Sequence, residues 1–394
     1  MVAFDQTLPL ALKGYAWLPD LRRKHHGRPF TMRLAGRRTV AISGPDAVRF
    51  FYEPGHLERR NAVPPQVLDT LFGRGAVHTL DGEAHRVRKA LFVDLLLEDG
   101  ADTLAKLAGE AFDDASERWR AARSVTLFDE AAGVIADAVT RWTGVREMVP
   151  AADLVAMVDG FASAGPRQLR ARQARRRQEA VLSRLIEDVR REEQSTTPIS
   201  RIAHHREDGR LLDAHTAAVE LLNIIRPATA VAWYVAFAAH ALDRWPENRA
   251  GLTDDDFTRA FVHELRRYYP FAPFVPGIAT DDLRFHGQEI PRGTLVLLDI
   301  YGQHHDSRVW ARPYEFRPER FLGRPAGEFE LIPQGGGDPR TGHRCPGETI
   351  TVALLGTLVQ HLVRLGYYLP PQDTSISLSR IPARVRSGIE IVVP

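Results

Sequence analysis

Apolar residues recur every three to four positions along most of this chain, the spacing that places them on one face of a helix. The segments "AGEAFDDASERWRAAR" (108–123), "QEAVLSRLIEDVRREE" (178–193), "DDDFTRAFVHELRRYY" (254–269) and "TITVALLGTLVQHLVRL" (349–365) all follow it. "ELLNIIRPATAVAWYVAFAAHAL" (220–242) is apolar almost all round and predicts a buried helix. Two-residue alternation is confined to "FTMRLAGRRTVAIS" (30–43), "LRFHGQEIPRGTLVLLDI" (283–300) and the terminal "RSGIEIVVP" (386–394). The pattern therefore predicts a mainly α chain with minor β-sheets. An acidic turn at 251–256 has the composition of a helix start. "EEQSTTPISR" and "PAGEFE" read as surface loops, and "FAPFVPG" (271–277) as an apolar loop.

Composition narrows the class without changing that picture. The 394 residues are 44% hydrophobic and 26% charged, which is ordinary for a globular fold and excludes disordered and fibrous classes. No linker or repeat marks a boundary, so one domain spanning 1–394 is expected. The net charge is +2, which gives no bulk attraction to nucleic acid. The arginine-rich run "PRQLRARQARRRQ" (166–178) lacks interleaved aromatics and continues into Val181, Leu182, Leu185 and Ile186, so, with Leu169, it reads as a helix with a solvated outer face. The start "MVAFDQTLPLALKGYAWLPD" has no basic leader before its apolar residues, and a soluble cytoplasmic protein without a membrane anchor is expected.

Candidate chemistry begins at Cys345, the single cysteine, which rules out an internal disulfide. It lies in "LIPQGGGDPRTGHRCPGETITVALLG", between a glycine-rich loop and an apolar helix, where backbone N–H groups and the helix dipole favour a thiolate able to bind a metal. Upstream, "ELRR" sets Glu264 and Arg267 three residues apart on a helix, and "FRPERF" brings Arg320 before the cysteine loop. The second anomaly is Arg226-Pro227 inside the apolar helix. A buried guanidinium stays charged and requires an anion, and an internal proline removes a helix hydrogen bond.

E-x-x-R, then P-E-R-F, then a glycine-rich loop ending in H-R-C-x-G resembles the cytochrome P-450 superfamily over nearly the whole chain. The resemblance implies a heme-thiolate fold with heme b (iron protoporphyrin IX) held by Cys345 as the axial iron ligand. Glu264, Arg267 and Arg320 would form the structural network behind it. "RRNAVP" (59–64) and "DGEAHRVRKALF" (81–92) are similar to heme-contacting segments, implying that Arg59 and His85 reach the propionates. Arg88 or Lys89 would assist, and His343 would join them.

Two departures from the common superfamily pattern carry a narrower resemblance. Asp338 stands where a phenylalanine usually precedes the cysteine, in a longer "QGGGDPRTGH" loop, and Arg226-Pro227 replaces the acid-alcohol pair of the distal helix. Both features are similar to the bacterial fatty-acid peroxygenases, which use hydrogen peroxide as co-substrate and need no obligatory redox partner. The resemblance implies that Arg226 binds the substrate carboxylate, which then acts as the acid-base group, and that Pro227 opens the helix to make room. It also implies that His78 and Phe72, in "LFGRGAVHTLDG", match the alkene-forming decarboxylases, whereas hydroxylating members carry glutamine at the His78 position. Phe274 would line the acyl channel, with core packing as the competing reading. The expected activity is oxidation of long-chain fatty acids at the alpha and beta carbons, giving terminal alkenes with hydroxy acids as co-products. A hydroxylating peroxygenase, a reductase-dependent monooxygenase and a non-catalytic heme sensor are the alternatives.

Overall fold

The computed structural model describes residues 5–97, 100–147 and 149–394. Its centre is the pair Ala214–Thr229 and Val231–Arg244, helices that bury nearly every side chain they carry. Length and composition would let this 31-residue span cross a membrane, but 89% of its most apolar window is buried inside the protein, so it serves as the core helix. Asp213 caps its start, the carboxylate accepting from Thr216 N at 2.9 Å.

Around the centre pack Gly100–Ala122, Leu127–Thr143, Pro166–Val189, Asp255–Tyr268 and Glu348–Leu365, each presenting the apolar stripe that its periodicity predicts. The acidic turn is a helix start: Asp254 accepts from Phe257 N at 2.8 Å. Leu169 departs from expectation and is 57% exposed, because the apolar stripe of its helix begins at Ala171.

A five-stranded sheet flanks the helices in the order Phe30–Leu34, Arg37–Ile42, Leu295–Asp299, Phe274–Ala279, Leu57–Glu58. Arg37–Ile42 and Leu295–Asp299 run parallel, with Leu295 opposite Thr39, and the other neighbours are antiparallel. The "FAPFVPG" segment is therefore only partly a loop. From Phe274 it is a strand, because Leu295–Asp299 pairs its backbone despite Pro276 and Gly277, and Leu57–Glu58 pairs the strand's end at Ile278 and Ala279. Glu390–Val392 pairs with Ser124–Thr126 in one small sheet, and Leu283–Phe285 with Gln288–Ile290 in another.

Candidate active site

Cys345 sits in the loop just before the Glu348–Leu365 helix. Its backbone N–H donates to Gln334 O at 3.0 Å, and Gln334 Nε2 lies 3.7 Å from the sulfur. Burial pushes the thiol up, while the Gly347 N–H and the Lys89 ammonium oppose that push, so a cation against the sulfur would complete the thiolate. Arg266 braces this loop by donating to Gln334 Oε1 at 2.8 Å and by pairing with Glu348, which also holds Arg344 at 2.8 Å. Arg266 and Glu348 belong to no motif that the sequence displays. Their only sequence signal is proximity to Arg267 and Cys345.

Behind the loop, Glu264 and Arg267 are both fully buried and paired at 2.7 and 2.8 Å. Arg267 also donates to the carbonyls of His304, Pro313 and Glu315, and Arg320 Nε lies 3.0 Å from Glu264 Oε2. The three residues of the expected network thus meet in one place. It locks the chain leading to the cysteine loop onto the Asp255–Tyr268 helix.

Arg59, His85, Lys89 and His343 also converge. The rings of His85 and His343 stand 4.0 Å apart, and Lys89 Nζ donates to the carbonyls of Gly342 and Arg344 at 2.9 and 2.6 Å. Arg59 is stacked over Phe51 and donates to Pro276 O at 2.7 Å. Burial, reinforced by the neighbouring positive groups, brings His85 down to about 3, and burial lowers Lys89 to about 8. Asp81, 3.4 Å from His343, is the nearby acid. This donor set matches an anionic group bearing carboxylates. Arg88 does not belong to it: its guanidinium pairs with Glu207 and donates to Glu220 Oε1 at 2.7 Å.

Arg226 projects from the central helix and is 5% exposed. Among the described residues it forms no ion pair, and its Nε has no hydrogen-bond partner. Glu220, the acid nearest along the helix, is engaged by Arg88, by Val77 N at 2.8 Å and by Asn223 Nδ2 at 3.4 Å. Burial and the like charge of Arg175 push Arg226 down to about 9, with the Cys345 sulfur opposing. Pro227 lies inside this helix, which breaks at Ala230; Ala230 N and Trp233 N donate three residues back, to Pro227 O and Ala230 O. His78 stacks on Phe72 at 4.4 Å between ring centroids, with its Nδ1 buried and unpartnered. Burial and then the Arg226 charge hold His78 neutral, well below its ordinary value. The Phe274 ring meets Trp17 edge-on at 6.1 Å and packs against the apolar cluster around it.

The residues present fit heme: a sulfur approached by the Gln334 side-chain amide and the Gly347 N–H, a cationic cluster suited to propionates, and buried unpartnered polar atoms on Arg226 and His78. The cytochrome P450 family model matches residues 252–373, which contain the Glu264 network and Cys345. Among curated proteins, cytochrome P450 4e5 of Drosophila mettleri is 31% identical over 36% of this chain and 31% of its own length. (+)-Menthofuran synthase of Mentha piperita is 38% identical over 29% of this chain and 25% of its own. The matched region thus spans a third or less of these curated relatives.

Solved structures match from end to end. Cytochrome P450SP alpha (CYP152B1) in complex with (R)-ibuprophen is 38% identical, covering 99% of this chain and 98% of that one, with a TM-score of 0.95. Cytochrome P450EX alpha (CYP152N1) with myristic acid is 32% identical, covering 100% and 97%, at 0.94. A variant of cytochrome P450 OleT in complex with arachidonic acid is 34% identical, covering 98% and 96%, also at 0.94. Identity at that level, sustained over whole chains and joined to the cysteine loop and its buried network, means that this chain belongs to the cytochrome P450 family, on its CYP152 branch.

Proposed function

We propose that the protein is a heme-thiolate peroxygenase that uses hydrogen peroxide to oxidise long-chain fatty acids at the alpha and beta carbons. Its main outcome is decarboxylation to a terminal alkene, with hydroxy acids as co-products. The observation that carries this reading is Arg226, a buried guanidinium that forms no ion pair among the described residues and whose Nε has no hydrogen-bond partner there. Myristic and arachidonic acids in the structures of two relatives support a fatty acid as its partner.

Heme, when bound through Cys345, supplies the peroxide-driven oxidation of a carbon–hydrogen bond. The chain's own residues do the rest. Arg59, His85, Lys89 and His343 hold the propionates, and Glu264, Arg267 and Arg320 stiffen the support of the cysteine loop. Arg226 pairs with the substrate carboxylate, which neutralises the buried charge and fixes the position of the alpha and beta carbons. That carboxylate also moves the proton needed to break the peroxide O–O bond, so no protein acid is required at the Pro227 position. His78, neutral and stacked on Phe72, stands ready to accept or donate a proton beside the carboxylate. One fatty acid and one peroxide yield either hydroxy acid and one water, or alkene, carbon dioxide and two waters.

This reading makes 1–394 a single heme domain that works in the cytoplasm without a reductase, membrane anchor or nucleic acid. The burial of its apolar helix supports a soluble enzyme. Purified heme-loaded protein given a long-chain saturated fatty acid and hydrogen peroxide, with no reductase or nicotinamide, tests it. Terminal alkene one carbon shorter is expected. Hydroxy acid alone would keep the peroxygenase and remove decarboxylation, and no product would sink both.

A further inference from the structure

Arg175 belongs to the arginine-rich helix Pro166–Val189, whose outer face is solvated, yet Arg175 itself is 1% exposed. Small neighbours admit it: Ala171 and Ala174 lie on the same buried face. Its guanidinium donates from Nη1 to Leu71 O at 2.6 Å and from Nη2 to Phe72 O at 2.8 Å, and Nε donates to Glu179 Oε1 at 2.6 Å. The two carbonyls end the single wide turn Leu68–Phe72, where helical geometry leaves carbonyls without backbone donors.

Gly73 allows the approach. Its φ is +83°, and a Cβ there would lie 2.3 Å from Arg175 Nη2. Past Gly73 the chain turns to Val77, which is tied to the central helix through Glu220, and then to His78, whose ring stacks back on Phe72. The Phe72–His78 stack thus hangs from two supports. The central helix holds Phe72 O through Asn223 Nδ2 at 2.8 Å and Val77 N through Glu220, and the arginine-rich helix holds Leu71 and Phe72 through Arg175.

We propose that Arg175 is a positioning residue: its planar fork, admitted by Gly73, fixes the Leu71 and Phe72 carbonyls and so sets where the Phe72 and His78 rings stand relative to a carboxylate on Arg226. The consequence for product choice rests on the fatty-acid reading above. A lysine keeps the charge but cannot grip two carbonyls in one plane. Arg175→Lys should therefore leave KM for the acid within about twofold of wild type, because Arg226 is untouched, while kcat falls about tenfold and the alkene to hydroxy-acid ratio shifts. In the same variant the amides of residues 71–78 should exchange hydrogen about tenfold faster or more, with the central helix unchanged.

Gly73→Ala, which retains Arg175 but pushes its guanidinium from its seat, should shift the ratio in the same direction and decides the matter where the lysine variant fails to fold. An unchanged product ratio with unchanged exchange at 71–78 overturns the proposal. So does a fall in thermal stability with the ratio unaltered, since that is what a purely structural arginine gives. If wild-type protein oxidises no fatty acid, the functional reading falls, and amide exchange at 71–78 still decides the positioning role.

Discussion

At the scale of single residues, Arg226 sets one demand against another. A buried guanidinium without an anion costs several kcal/mol on the order expected for an unpaired buried ion. Retaining it makes sense only where an anion arrives from outside. Arg226→Leu should then abolish fatty-acid turnover, lowering kcat/KM by about 100-fold or more, while raising the melting temperature of the heme-loaded protein. Product formation and thermal unfolding on one preparation check both halves, and wild-type-like turnover would end the anchor role. His78 is a finer case. His78→Gln keeps a polar side chain of similar reach but removes the imidazole that burial holds neutral, and products should move towards hydroxy acid. An unchanged ratio in chromatographic analysis would show that the imidazole does not steer the outcome.

At the scale of elements, the Glu264 network shows how a motif becomes a brace. Glu264 receives two bonds from Arg267, one from the Arg317 backbone N–H and the contact from Arg320, so it neutralises charges from two stretches of chain. Glu264→Ala would strand Arg267 with only carbonyls around it, at about 3–5 kcal/mol for breaking a buried pair. A much lower melting temperature and poor heme retention are expected, measured by thermal unfolding and heme absorbance. The motif and the long helices were legible in the sequence because fixed spacing carries them. The strand from Phe274 was not, since Pro276 and Gly277 suppress the alternating pattern and only distant neighbours, Leu295–Asp299 and Leu57–Glu58, make it a strand. Arg175 was hidden for a related reason. Six arginines between 167 and 177 look like one solvated stripe, and only helical phase, with Ala171, Ala174 and Gln178 on the same buried face, separates it from the others. Long-range partners such as Glu207 for Arg88 have no local signal at all.

At the scale of the whole molecule, the near balance of charge conceals an interior rich in neutral histidine. Burial brings His240, His263 and His305 to about 4, and His304 lies well below the ordinary value for the same reason. These rings are built into the packing: His240 shares a hydrogen bond with the Tyr269 hydroxyl at 2.7 Å, and His304 accepts one from Ile332 N at 3.0 Å. In the unfolded chain each titrates near 6.5, so below that pH the unfolded state takes up protons that the folded state refuses. Their contribution is complete above pH 6.5 and is lost progressively as the pH falls towards 4. The heme-loaded protein should therefore lose stability on acidification well before most carboxylates titrate, and the loss should steepen with each buried ring. His240→Gln keeps a hydrogen-bonding group for Tyr269 but removes the titration, so its stability should depend on pH less steeply, by up to about one proton between the unfolded and folded values. Denaturant unfolding at a series of pH values from 7 down to 4 checks this in wild type and variant, and parallel curves would show that His240 carries none of the acid sensitivity.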